Sequence, residues 1–159
     1  MAEESLLLKT FEIISSGLFG AFAAYIFNLL HWCSTEKIRK VEMLCNSIYN
    51  VIDKIEDHSI KYWITSPSEL DRATTKQLEI SIKSLLRSQI SLTENLSKLT
   101  KKSSHINILQ AAQKLNDRLF ELSTGDEFES NDRRVRPTKC HNISRACAEI
   151  RFKLAELTL

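Results

Sequence analysis

Glycine and proline are nearly missing from this chain, with three glycines and two prolines among 159 residues. These residues break helices and build tight turns, so their scarcity argues against a turn-rich, many-stranded architecture and for a few long helices. Gly17 and Gly20 sit close together, which leaves Gly125 as the single glycine beyond them. A glycine-rich phosphate loop is therefore excluded, and no H-E-x-x-H, C-x-x-C or G-x-S-x-G pattern occurs. A nucleotide-dependent enzyme is not expected. No cofactor or metal is implied.

An excess of one charge is also lacking. Twenty-two Lys and Arg face twenty Asp and Glu, a net charge of +2. A global basic field for nucleic acid is absent, and nucleic acid is not an expected partner. The four cysteines, Cys33, Cys45, Cys140 and Cys147, form no paired framework of the kind that staples small secreted domains. They read as free thiols in a reducing cytosol. Cys45 and Cys147 fall on apolar helical positions, where cysteine acts as a small hydrophobe. A metal site from Cys140, His141 and Cys147 lacks both a C-x-x-C pair and a fourth ligand.

Against these absences stands one long apolar run. No Asp, Glu, Lys or Arg interrupts the chain from Ile13 to Thr35, and Ile13 to Trp32 reads IISSGLFGAFAAYIFNLLHW. Roughly 20 residues of helix cover about 30 Å, the thickness of a bilayer's hydrocarbon core. A single membrane-spanning helix is the expectation for residues 1–33. A core or interfacial helix is the alternative, because Ser15, Ser16, Asn28 and His31 dilute the stretch. A cleavable signal peptide fits less well. Ala21-Phe22-Ala23 has the form of a cleavage site, but Glu3 and Glu4 stand where positive charge belongs.

Flanking charge sets the orientation. Lys37, Arg39 and Lys40 follow the segment, whereas Lys9 alone among basic residues precedes it. Lys and Arg stay cytoplasmic, so the N-terminus should face outward and residues 34–159 should be cytoplasmic, as in a bacterial-type inner-membrane protein. Trp32 would lie at the inner interface beside these cations, which can touch anionic lipid. Ser16, Gly20 and Ala24 recur every four residues and line one side of the helix, where small side chains let two helices approach closely in lipid. They are the candidate surface for a homo-oligomer.

Helical periodicity fills the remainder, and no alternating strand is evident. A second helix is expected from about Ser34 to Ile64, with Ile38, Val41, Cys45, Ile48, Ile52, Ile55, Ser59 and Tyr62 as its seam. No proline or glycine separates it from the anchor, so the two can be continuous. Ser66-Pro67-Ser68-Glu69 resembles a capping box and predicts the start of a third helix running to about Lys102. Its seam is Leu78, Ile82, Leu85, Gln89, Leu92, Leu96 and Leu99, widened by Ile80, Leu86 and Ile90. A fourth helix carries Ile108, Ala112, Leu115, Leu119 and Leu122, and Gly125 ends it. Residues 124–137 (TGDEFESNDRRVRP) are polar and read as a mobile loop. A last helix from Thr138 carries Ile143, Cys147, Ile150, Leu154 and Leu157. The expected fold is all-α, an N-terminal transmembrane helix followed by an antiparallel bundle of about four helices.

Three functions fit this build. The first is a membrane-anchored interaction or signalling module whose cytoplasmic bundle binds an unidentified protein partner. The second is a small membrane-perturbing effector, of phage-exclusion or toxin type, whose anchor self-assembles. The third rests on Arg136 and His141, spaced R-x4-H at the start of a helix. This resembles the R-x4-6-H motif of HEPN-type ribonucleases, although Pro137 follows the arginine where that family usually has a polar residue. The resemblance implies an RNA-cleaving pair at a dimer interface, with His141 moving a proton and Arg136 holding the phosphate.

Overall fold

A computed structural model describes residues 2–100 and 103–157, with side chains for 17–100 and 105–157. The chain is all-α, with four helices: α1 (Ala2–Ile64), α2 (Arg72–Leu99), α3 (Ser103–Thr124) and α4 (Pro137–Ala155). The expected anchor and second helix are one element, because no breaker interrupts Gly20 to Ile64. Two compact units divide the chain, Met1–Lys40 and Val41–Leu159.

The second unit is an up-down-up-down bundle. Tyr62, late in α1, meets Glu79, early in α2, and Gln89 at mid-α2 meets Asn116 in α3. Arg151, late in α4, reaches back to Asp53 and Glu56 of α1. With Lys139, early in α4, paired to Asp126 just after α3, and Arg118 of α3 to Glu149 of α4, these pairings make consecutive helices antiparallel. The core is a continuous aliphatic stack of Cys45, Ile48, Ile52 and Ile55 from α1, Leu78, Ile82, Leu86 and Leu96 from α2, Leu109, Ala112 and Leu119 from α3, and Ile143, Cys147, Ile150 and Leu154 from α4.

The seams of α1 and α4 lie where the periodicity puts them, with one exception. Ile38 is exposed, because it belongs to the first unit, where a single helix offers it nothing to pack against. In α2 the buried line runs Leu78, Glu79, Ile82, Leu86, Gln89, Thr93, Leu96. Leu85 and Leu92 are only half-buried, and Ile80 and Leu99 are exposed. In α3 the centre likewise falls on Leu109, Asn116 and Ser123, not on Ile108, Leu115 and Leu122.

Polar contacts explain this rotation. Gln89 Nε2 donates to Asn116 Oδ1 at 2.7 Å, Asn116 Nδ2 donates to Thr93 Oγ1 at 3.1 Å, and Thr93 Oγ1 donates to the Gln89 carbonyl at 2.9 Å. All three residues are buried. A buried amide needs its partner, so this triad fixes the register of α2 against α3. Replacing Asn116 alone by Leu should cost about 1–3 kcal/mol by orphaning Gln89, while the Gln89→Leu, Asn116→Leu pair should recover most of that loss. Urea unfolding of the two variants checks this. Equal destabilisation by the single and double changes would count against the triad as a register lock.

The start of α2 differs from the capping-box expectation. Ser66 and Pro67 form a turn instead, in which the Glu69 amide donates to the Ser66 carbonyl at 3.0 Å. The N-cap is Asp71, whose carboxylate accepts from the Thr74 amide at 2.8 Å and from the Thr74 hydroxyl at 2.6 Å. These bonds, the hydroxyl's first, hold the Asp71 carboxyl below its ordinary pKa.

Candidate functional site

The first unit carries the candidate anchor. From Gly17 to Thr35 every side chain is exposed, including Phe19 at 75%, Phe27 at 69% and Trp32 at 64%. The helix is long and apolar enough to cross a membrane. Gly20 and Ala24 lie on this exposed surface, and a Cβ added at Gly20 would meet nothing within 4 Å. The side chain of Ser16 lies outside the described residues. Beyond the apolar stretch, Glu36 engages both Arg39 at 3.0 Å and Lys40 at 3.7 Å. Lys37 makes no ion pair among the described residues. The flank keeps its excess of cations, but two of the three share one carboxylate.

At one end of the second unit the sequence builds a second, tighter arrangement. The α3–α4 connection, residues 125–136, was expected to be a solvated mobile loop. In the structure it lies across the ends of α1 and α2 as a strap. Gly125 turns the chain: its amide donates to the Glu121 carbonyl at 2.8 Å, and any Cβ there would sit 2.6 Å from that oxygen. Asp126 and Glu129 then adopt left-handed φ values of 56° and 67°, which aim Phe128 inward.

Phe128 packs 5.0 Å from the Tyr62 ring and 6.4 Å from the Trp63 ring, and Tyr62 and Trp63 meet edge to face at 5.2 Å. Both α1 aromatics are fully buried. Two cations cover them. The Arg133 guanidinium lies 4.3 Å over Tyr62 while its Nη1 donates to the Thr65 carbonyl at 2.8 Å. Lys139 Nζ lies 3.7 Å over Trp63 and also donates to the Gly125 carbonyl at 2.9 Å. The Trp63 indole donates to the Ser123 carbonyl at 3.1 Å.

Carboxylates brace the strap internally at one point, Glu127, and fasten it to the helices at two, Glu129 and Asp126. Glu127 accepts from the Arg134 amide at 2.8 Å and from Arg136 at 3.1 Å. Glu129 pairs with Lys83 at 2.8 Å and Lys76 at 3.8 Å, and Asp126 pairs with Lys139 at 3.1 Å. The Glu129 amide donates to the Tyr62 hydroxyl at 2.9 Å, which donates onward to Glu79 at 3.2 Å. These partners hold all three carboxyls below their ordinary pKa: the Lys139 hydrogen bond for Asp126, the Arg134 amide for Glu127, the Lys83 hydrogen bond for Glu129. A depressed folded-state pKa contributes above the carboxylate's ordinary range, and the contribution disappears as pH falls through that range and the folded-state pKa below it. Burial raises the Tyr62 phenol.

Arg136 and His141 take separate places. Arg136 is the N-cap of α4, its amide donating to the Trp63 carbonyl at 2.9 Å and its guanidinium held by Glu127. His141 is exposed on α4, and no contact among the described residues joins the two. Cys140 and Cys147 point into the core instead of toward His141. Burial pushes the Cys147 thiol up to about 12 and raises Cys45 and Cys140, so these thiols stay protonated at neutral pH and are poor nucleophiles. No group of three or more His, Cys, Asp or Glu could hold a metal among the described residues.

Sequence reasoning found the long apolar helix and put Tyr62 on the seam of α1 but missed Phe128, Arg133 and Lys139. Phe128 carried a signal, a lone aromatic in a polar run. Arg133 and Lys139 carried none, because their role appears only when the strap folds back on α1. No protein-family model matches the chain, and neither a curated protein nor a solved structure is similar to it.

Proposed function

We propose that this is a single-pass membrane protein. The apolar stretch of α1 is its anchor, and residues 41–159 form a cytoplasmic helical bundle that docks a protein partner at the membrane face. One observation carries the reading: an uninterrupted apolar stretch of helix with no part of its surface buried against the rest of the chain. Such a surface in water would be an exposed patch far larger than soluble monomers carry, and lipid is the solvent that removes it. Lys37, Arg39 and Lys40 support an N-out, C-in orientation, with Trp32 at the headgroup level. Cys45, Cys140 and Cys147, buried in the core as unpaired thiols, agree with a reducing compartment. Gly20 and Ala24, open on the anchor surface, support pairing of anchors in the bilayer.

Alkaline carbonate extraction, combined with protease access to a C-terminal tag in spheroplasts, tests this. The protein should stay in the membrane pellet, and the tag should be cut only after lysis. Release by carbonate would overturn the anchor, and cleavage in intact spheroplasts would overturn the orientation.

A further inference from the structure

We propose that the strap, residues 125–136, is a releasable cover: it lifts as a unit from Tyr62 and Trp63 while the four helices stay folded. Three independent features meet on this one segment. First, the buried side-chain atoms that lack a hydrogen-bond partner among the described residues gather at its end of the bundle: Ser59 Oγ, Ser123 Oγ, Arg133 Nε and Nη2, and Arg136 Nε. The Arg133 atoms form one whole edge of its guanidinium, the side-on fork that matches a carboxylate in two parallel bonds, and none of the described residues accepts from it. Desolvating donors without partners makes the closed strap less favourable than its number of contacts suggests.

Second, both non-glycine residues with left-handed backbone among the described residues, Asp126 and Glu129, are on the strap. Third, the ion pairs that join the strap to the helices use exposed carboxylates: Lys76 and Lys83 of α2 on Glu129, and the buried Lys139 of α4 on Asp126, whereas Glu127 and Arg136 pair within the strap. Exposed pairs are individually weak. The helices beneath are held by an aliphatic core to which the strap adds only Phe128, at its margin. Segments with few buried apolar contacts and solvent-exposed fastenings open at lower free energy than the core. The geometry also states what opening does. Tyr62 loses the Glu129 amide and the Arg133 cover, and two aromatic side chains become available at the end of the bundle.

Native-state hydrogen exchange on the full chain in detergent micelles tests this. The Glu129 amide, bonded to the Tyr62 hydroxyl, reports the strap, and the Ile52 amide reports the core. Below the unfolding transition, the Glu129 amide should exchange through an opening at least about tenfold more populated than the opening that exposes Ile52. Lys83→Gln, which removes the α2 partner of Glu129, should increase strap opening further and leave Ile52 unchanged. In a Trp32→Phe background, Trp63 should become accessible to acrylamide in the same variant while far-UV circular dichroism stays constant. Exchange of Glu129 and Ile52 through one opening, with the same denaturant dependence, would overturn the proposal. So would a Lys83→Gln chain whose strap exchange and Trp63 quenching match the parent's.

Discussion

A chain carrying Phe22→Lys and Ile26→Asp should leave the membrane. In the parent the insertion drive is modest. About nine strongly apolar residues contribute roughly −0.5 kcal/mol each, and Ser15, Ser16, Asn28 and His31 offset part of that sum. A Lys or Asp near the middle of a spanning helix costs about 2.5–3.5 kcal/mol on the same scale, so the pair outweighs the entire favourable term. Both residues lie on the exposed surface of the first unit. The second unit should therefore keep its fold, with an unchanged helical signal and unfolding midpoint, while carbonate extraction moves the protein to the supernatant. The comparison separates two kinds of apolar helix. If residues 17–35 instead formed a core with something soluble, the charges would produce aggregated or degraded protein. A double variant that stays in the pellet as folded protein would argue against lipid as the solvent of this surface.

The architecture was legible because its signals are periodic. Few breakers meant long helices, and in α1 and α4 apolar residues repeat at the spacing that turns one face inward. In α2 and α3 the periodicity gave the correct helices, and Leu78, Ile82, Gln89, Leu96, Ala112 and Leu119 are buried as expected, but the alternate seam positions Leu85, Leu92, Ile108, Leu115 and Leu122 are only half-buried. Leu85, Leu92 and Leu115 looked like better core residues than Leu86, Thr93 and Asn116. The triad of Gln89, Thr93 and Asn116 turned the two helices toward each other along a polar line; Gln89 fell on the expected seam, but hydropathy reads Thr93 and Asn116 as surface. A buried amide in a helix is informative only once its partner is known, and that partner is 27 residues away.

The start of α2 failed for a related reason. Ser66-Pro67-Ser68-Glu69 has the residues of a capping box, but an equally local competitor, Asp71 with Thr74, lies one turn further on. The two cannot be ranked from the sequence, since each satisfies the same need for an acceptor at a helix N-terminus. The strap was the least legible part. Its composition is that of a solvated loop, and its hold on the bundle depends on long-range pairs: Arg133 with Tyr62, Glu129 with Lys83, the Arg136 amide with the Trp63 carbonyl. None leaves a periodic trace. The polar composition was still informative. It marks a segment with little apolar surface of its own, which is why its attachment rests on ions and one phenylalanine.

Trp63→Ala should be among the most damaging single changes in the second unit, while Trp32→Ala should leave that unit's stability untouched. The two tryptophans are chemically identical and physically opposite. Trp32 is exposed on the first unit, with no packing partner to lose. Trp63 is fully buried where α1, α3, α4 and the strap meet. It supplies the ring beneath Lys139, the edge against Tyr62 and the donor for the Ser123 carbonyl. Truncating a buried aromatic to Ala costs about 3–5 kcal/mol through lost transfer energy and the cavity left behind. Here the Ser123 carbonyl and the nearly buried Lys139 also lose a partner, which places the cost at the upper end. Domains of this size have a total stability of about 5–15 kcal/mol, so the loss is a large share of it, and the melting midpoint should fall by on the order of 15 °C. Trp63→Phe keeps a ring for Lys139 and Tyr62 and gives up only the indole donor and part of the volume, so less than half of that fall is expected. Thermal melts of the three variants, followed by far-UV circular dichroism, decide the matter. A Trp63→Ala midpoint within about 2 °C of the parent would show that the aromatic cluster closes the bundle end without stabilising it.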